Sequence, residues 1–267
     1  MAVCHFIMQG KGGVGKSLVA SLLFQYLQKR GFKVLGCDTD PVNTSFAAYK
    51  GFEVRILDIM EGDDIAPGRF DELIEYIFSV PEEAQMVVDI GASCFVALCS
   101  YLKKNAALDY LQRNGHEVTI HTVIIGGQSL VETLSNLRSL ARHFYDVPLV
   151  VWLNPFFGEI TLDGVSFENF KVYREVASSV KAIIEMPKGS SLFQRTFAEM
   201  LTRHETFEES IKNPETSVMD RHRLKMIWSD YQNLLTQAQV APEPIPLPPP
   251  PGAPEASLFQ DGLLYDG

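Results

Sequence analysis

The chain has 267 residues, 46% hydrophobic and 21% charged, which suits a globular protein with one large core or two modest ones. Its net charge of −10 argues against strong nonspecific nucleic-acid binding. No apolar run approaches the roughly 20 residues of a membrane span, and the start MAVCHFIM lacks the basic opening and apolar stretch of a secretion signal.

Val3 to Met8 reads as a short apolar strand, and Ser17 to Lys29 as a helix that Gly31 stops. Val34 to Cys37 reads as the next strand. Phe70 to Ser79 is helical, and Met86 to Asp89 is a strand ending in an acid. Cys94 to Leu111 reads as one helix. Val118 to Ile125 is a β-branched strand ending at Gly126-Gly127, with Gln128 following; the glycines suit a turn into a helix capped by Ser129. Ser129 to Phe144 carries apolar residues at helical spacing. Leu149 to Leu153 is a strand ending at Asn154-Pro155, Phe167 to Ser178 a helix, and Lys181 to Glu185 the last strand. Two or three helices follow between about 190 and 239.

This alternation predicts an α/β fold: a mainly parallel twisted sheet with helices on both faces. The domain is expected to span 1–240. Residues 241–267 begin APEPIPLPPPPGAPEA, a density of proline that favours polyproline II over helix or sheet, and read as a proline-rich disordered tail. Its last residues, with Leu258, Phe259, Leu263, Leu264 and Tyr265, form either a docking peptide on a stiff spacer or an unselected end. Cys4, Cys37, Cys94 and Cys99 form no CxxC pair and read as free thiols of a reducing, cytoplasmic setting. His116 and His121 do not fall at metal-ligand spacing. The basic run Arg221 to Lys225 reads as a solvated helix face.

Residues 10–17, GKGGVGKS, carry the chemistry. Strand, Gly10-x-x-x-x-Gly15-Lys16-Ser17 and helix follow one another directly, the context a phosphate-binding loop requires. The glycines let successive amides point at an anion, and the helix N-terminus adds its dipole. Lys16 is placed for the β- and γ-phosphates, and the Ser17 hydroxyl for Mg2+. Asp38 and Asp40 follow the second strand, at the sheet edge where ligands bind. Asp89 ends another strand, with Gly91 free to turn its amide.

The early lysine singles out a narrower pattern. Lys11-Gly12-Gly13-Val14-Gly15-Lys16-Ser17 resembles the deviant Walker A loop of the ParA/MinD ATPases, a P-loop NTPase family. The resemblance implies ATP and Mg2+ as ligands, a homodimer formed on ATP binding, and slow hydrolysis. In that family the early lysine reaches the phosphates of ATP held by the partner subunit. Two triphosphates at a two-fold interface repel, and a lysine from each side offsets this. The residues alone also allow Lys11 to be a solvated cation serving its own nucleotide.

Asp38-Thr39-Asp40-Pro41 with Asn43 resembles switch I, so Asp40 would orient the attacking water and touch the Mg2+ shell, with Asp38 in support. Met86 to Asp89 is similar to Walker B and Ile90 to Ser93 to switch II. Asn154 and Pro187 resemble the adenine-side residues. Leu18 stands where many relatives have a second hydroxyl, leaving the α-phosphate to backbone amides. The stretches after Asp89, at 121–128 and at 150–155 resemble the conjugal-transfer branch of the family, TraL, over about residues 3–210. This implies a protein partner in DNA transfer or plasmid maintenance, with direct DNA contact left open. No basic amphipathic C-terminal helix suggests membrane insertion. A kinase or reductase on the same fold is the alternative: the first needs an acceptor pocket, the second paired bridging cysteines.

Overall fold

The computed structural model describes residues 1–40, 43–62, 64–162 and 164–242. Pro41 and residues 243–267 of the proline-rich tail, with the expectations placed on them, lie outside the described residues. In chain order the elements are β1 (Val3–Ile7), α1 (Lys16–Lys29), β2 (Val34–Asp38), β3 (Val54–Ile56), β4 (Met60–Glu61), β5 (Asp64–Ile65), α2 (Phe70–Ser79), β6 (Gln85–Asp89), α3 (Phe95–Lys104), α4 (Ala107–Arg113), β7 (Glu117–Ile125), α5 (Leu130–His143), β8 (Leu149–Asn154), β9 (Thr161–Leu162), β10 (Val165–Ser166), α6 (Lys171–Val176), β11 (Val180–Glu185), α7 (Ser191–Thr202), α8 (Phe207–Lys212) and α9 (Val218–Gln237).

Seven strands pair in parallel in the order β11-β8-β7-β1-β6-β2-β3, as the strand–helix alternation predicts. Period-two alternation sorts the side chains. Cys4 and Phe6 join the core under α2 to α5, while Ile7, Val87, Val123, Val150 and Trp152 join the core under α1 and α7 to α9. Both faces are covered, which is why these strands read as near-continuous apolar runs. The C-terminal helices close the second core with stacked rings, Phe207 on Trp228 at 4.8 Å. A capping box between Thr206 and Glu209 starts α8.

A polar ladder crosses four strands inside this second layer. The indole Nε1–H of Trp152 donates to His121 Nδ1 at 3.1 Å, His5 Nδ1 and His121 Nε2 are 3.0 Å apart, and His5 Nε2 lies 3.0 Å from Gln85 Oε1. Indole can only donate, so His121 is protonated on Nε2 and donates to His5, which donates to Gln85. All four side chains are buried. Burial pushes His5 down to about 4 and His121 well below the ordinary imidazole range.

Three expected elements differ in detail. The single helix over Cys94 to Leu111 is two, broken where Ala106 turns left-handed at φ 47° so that Leu108 and Leu111 of α4 reach the core. The helix over Phe167 to Ser178 is interrupted at Phe170, whose extended backbone lets Phe167 and Phe170 both bury. Ser129 does not cap α5; its side chain makes no capping hydrogen bond, and a 3-10 turn over Gly127–Ser129 leads in instead. The edge strand β3 and the hairpins β4–β5 and β9–β10 are too short to show a periodic signal.

Candidate functional site

The ends of β1, β2 and β6 bring the motif residues to one sheet edge. Register pairs Ile7 with Asp89 and Asp89 with Asp38, so the two acids stand side by side one residue-row from the loop. Gly13 and Gly15 hold φ of 73° and 104°, the left-handed backbone that a Cβ disfavours. At Gly10 the constraint is space: a Cβ there would lie 2.8 Å from the Phe95 ring. The loop wraps a cavity of ≈550 Å³ lined by Gly12, Gly13, Lys16, Ser17, Asp40 and Asp89, among others. Leu18 lines it too, and reaches the neighbouring cavity as well.

Lys16 is buried, and its Nζ donates to the Lys11 carbonyl at 3.3 Å. Burial lowers its pKa, and Asp89 and Asp40 work against that. Asp38 is fully buried and consumed by backbone amides: Oδ1 accepts from Asp40 N at 3.0 Å, and Oδ2 from Phe46 and Ala47 N at 3.1 Å each. It shapes the turn that presents Asp40. Asp40 Oδ1 accepts from Asn43 N at 2.9 Å.

Asp89 is strongly perturbed. Burial pushes it up to about 7; Asp38 and Asp40 add to the effect, while a hydrogen bond from Ser17 and the charge of Lys16 oppose it. Its Oδ1 is buried and has no hydrogen-bond partner among the described residues. Hydroxyl and carboxylate oxygens around an orphaned acceptor, with three acids against one buried lysine, fit a hard divalent cation such as Mg2+.

Thr39, which sequence reasoning passed over, ties the two acidic turns together. Its Oγ1 donates to Asp89 O at 3.2 Å and accepts from Gly91 N at 3.4 Å, and the Cys94 thiol donates to its carbonyl at 3.1 Å. Gly91 is there for clearance, since a Cβ would sit 2.8 Å from Asp40 Cα.

A second cavity, of ≈340 Å³, shares Gly13, Gly15 and Leu18 with the first and is walled by Phe156, Phe193, Phe197 and Tyr231. Asn154 and Pro187 both line it. The Asn154 amide also braces the loop: Nδ2 donates to Val14 O at 2.9 Å, and Oδ1 accepts from Phe156 N at 3.1 Å. One N–H and one lone pair of that amide are left over. Gly126 and Gly127 serve as a seat for the segment beyond Asn154. A Cβ on Gly126 would meet the carbonyl oxygens of Gly158 and Glu159 at 2.4 Å.

Lys11 stands apart from Lys16. It does not line the ≈550 Å³ cavity; its Nζ pairs with Glu132 Oε2 at 3.1 Å, both side chains well exposed. Its amide donates to Gln9 Oε1 at 3.4 Å, an oxygen that also accepts from Asn136. Glu132 and Asn136, one turn apart on α5, thus hold both the side chain and, through Gln9, the backbone of Lys11. Neither showed a signal in sequence, because nothing local marks a helix residue as facing a loop more than a hundred positions earlier.

The arrangement is a polyanion cradle with acids placed for a cation and an apolar slot beside it. Residues 5–226 match the CobQ/CobB/MinD/ParA nucleotide binding domain. A protein named TraL from Escherichia coli is 45% identical over 242 residues, which is 90% of this chain and 100% of that protein. Among solved structures, the MinC:MinD cell division protein complex of Aquifex aeolicus superposes with a TM-score of 0.52 at 18% identity, over 93% of this chain and 99% of that one. The septum site-determining protein MinD of Pyrococcus horikoshii OT3, complexed with Mg-ADP, gives 0.51 at 13% identity, over 90% and 100%. At such identities the two structures speak to the fold alone. Among the described residues no helix is long and apolar enough to cross a membrane.

Proposed function

Because this chain belongs to the CobQ/CobB/MinD/ParA nucleotide-binding family, we propose that it is an ATP-switched homodimer with slow hydrolysis. Its output is the binding of a protein partner in conjugative DNA transfer or plasmid maintenance, a role that the TraL relative supports. The domain is taken as residues 1–240, with 241–267 as an appendage.

The division of labour between the two lysines carries this reading. Lys16 is buried inside the phosphate cavity. The Lys11 ammonium lies outside that cavity, where it pairs with the solvent-exposed Glu132. An exposed ion pair is worth about 1 kcal/mol or less, so a triphosphate on a second subunit competes for Lys11 easily. Within one subunit, the loop amides and Lys16 bind the phosphates, and Asp40 orients the attacking water. Asn154 and Pro187 border the adenine, and Asp38 and Gly91 fix the turns. Mg2+, held by Ser17, Asp40 and Asp89, would neutralise charge on the phosphates; the MinD of Pyrococcus horikoshii that shares the fold is itself complexed with Mg-ADP.

Size-exclusion chromatography with light scattering, with and without ATP, tests the switch. Wild type is expected to dimerise only with ATP, and Asp40→Ala to prolong the dimer. Lys11→Ala is expected to stay monomeric while still binding nucleotide. A Lys11→Ala variant that dimerises as wild type does would overturn the reading.

A further inference from the structure

The helical layer away from the nucleotide cavity carries a groove that the proposed switch does not use. It lies between α3 and α5 and encloses ≈520 Å³. Phe95, Val96 and Cys99 line one end, and Lys103, Lys104 and His143 the other. Val96 is 76% exposed. Lys103 and Lys104 close the last turn of α3 and Arg142 and His143 that of α5, and among the described residues the groove lining contains no acid to balance the two lysines, in a chain whose net charge is −10.

We propose that this groove is the docking site of the chain's own C-terminal tail. Glu255 sits among Lys103, Lys104 and His143, and Leu258 and Phe259 sit against Phe95 and Val96.

Three observations select this occupant. The first is where the tail leaves the body. The Arg30 guanidinium, at the end of α1, donates to the Pro242 carbonyl at 3.1 Å. Helices between parallel strands run back along them, so the end of α1 lies at the same sheet edge as the cationic ends of α3 and α5, on the opposite face.

The second is length. At about 10 Å per packed layer, the tail must cross about 20 Å plus the outer halves of two helices. The proline-rich residues 243–254 span about 37 Å as polyproline II, enough to round the edge. The tail then meets the cations first and the apolar end second, the order of Glu255 before Leu258-Phe259.

The third is spacing. Val96 to Lys103 is about 10 Å along a helix, and Glu255 to Phe259 is about 13 Å extended. The charges agree as well, since the tail beyond Val240 holds Glu243, Glu255, Asp261 and Asp266 and no lysine or arginine.

Occupancy of the groove would reach the phosphate loop through one ring. Phe95 lines the groove and also crowds Gly10, where a Cβ would lie 2.8 Å from its Cδ1.

Photo-crosslinking in the full-length protein tests the proposal. With benzoylphenylalanine at position 259, and separately at 258, peptide mapping is expected to show intramolecular adducts on 95–100 or on α5 near Ser139, with a yield independent of protein concentration. Reversing the groove charge with Lys103→Glu and Lys104→Glu is expected to cut that yield about tenfold. Adding Glu255→Lys and Asp261→Lys to that variant is expected to restore it. Adducts on another surface, adducts between chains that grow with concentration, or a yield indifferent to both charge changes would each overturn the proposal. A circular dichroism spectrum matching wild type excludes misfolding as the cause of a lost adduct.

Discussion

Replacing Asp89 with asparagine is expected to steepen a pH dependence that the wild-type protein partly masks. The His5–His121 ladder needs both rings neutral, since a second ring proton would set donor against donor. His5 is held at about 4 by burial, against 6.5 ordinarily. Between those values the unfolded chain binds a proton that the folded one refuses, so stability is full above about pH 6.5 and is lost as pH falls towards 4. From about pH 7 to about pH 4.5 the loss through His5 alone is about 3 kcal/mol, at 1.36 kcal/mol per pH unit. Asp89 has the opposite sign. Pushed from 3.8 up to about 7, it binds a proton when folded and not when unfolded, so its contribution is present at low pH and is lost as pH rises to 7. Over the same interval it amounts to about 3 kcal/mol on acidification. His121, held well below its ordinary value by the same burial, adds to the loss, so Asp89 offsets only part of it in wild type. Urea unfolding of nucleotide-free protein in chelator, at about pH 7 and about pH 4.5, should therefore show wild type losing stability on acidification. Asp89→Asn should lose about 3 kcal/mol more than wild type over the same interval. Equal stabilities in the variant would refute the neutral ladder, as would imidazole 15N shifts showing Nδ1–H on either ring.

Gly126→Ala is expected to cost about 1–3 kcal/mol in urea unfolding, because the new methyl must displace backbone carbonyls rather than a side chain. Asn154→Ala removes one brace from the phosphate loop and one from Phe156; a stability loss of about 1–3 kcal/mol is expected by the same assay, with weaker nucleotide binding by calorimetry. Glu132→Ala should leave stability within about 0.5 kcal/mol, since the pair it breaks is exposed. By releasing Lys11 it should also bring dimerisation to lower ATP concentration in sedimentation velocity runs.

Much of the site was legible in the residues themselves. Gly10 to Ser17 are consecutive, and the backbone they need is set by glycine's tolerance of positive φ and by the helix that follows. The acids at 38, 40 and 89 follow apolar runs that had to be strands, and strand ends in a parallel sheet share one edge. The fold was legible for the same reason, since each strand–helix unit is written over some thirty residues. The structure alone decided which distant groups meet. Glu132 and Asn136 face Lys11 and Gln9 because α5 packs beside the loop. Gly126 answers to a loop that passes over it rather than to its own turn. The ladder from Trp152 to Gln85 needs the strand order and the register together, since the two histidines are 116 positions apart. Propensity and dihedral limits act within a few residues of a position, whereas these pairings are fixed only when layers close and buried polar groups must find partners.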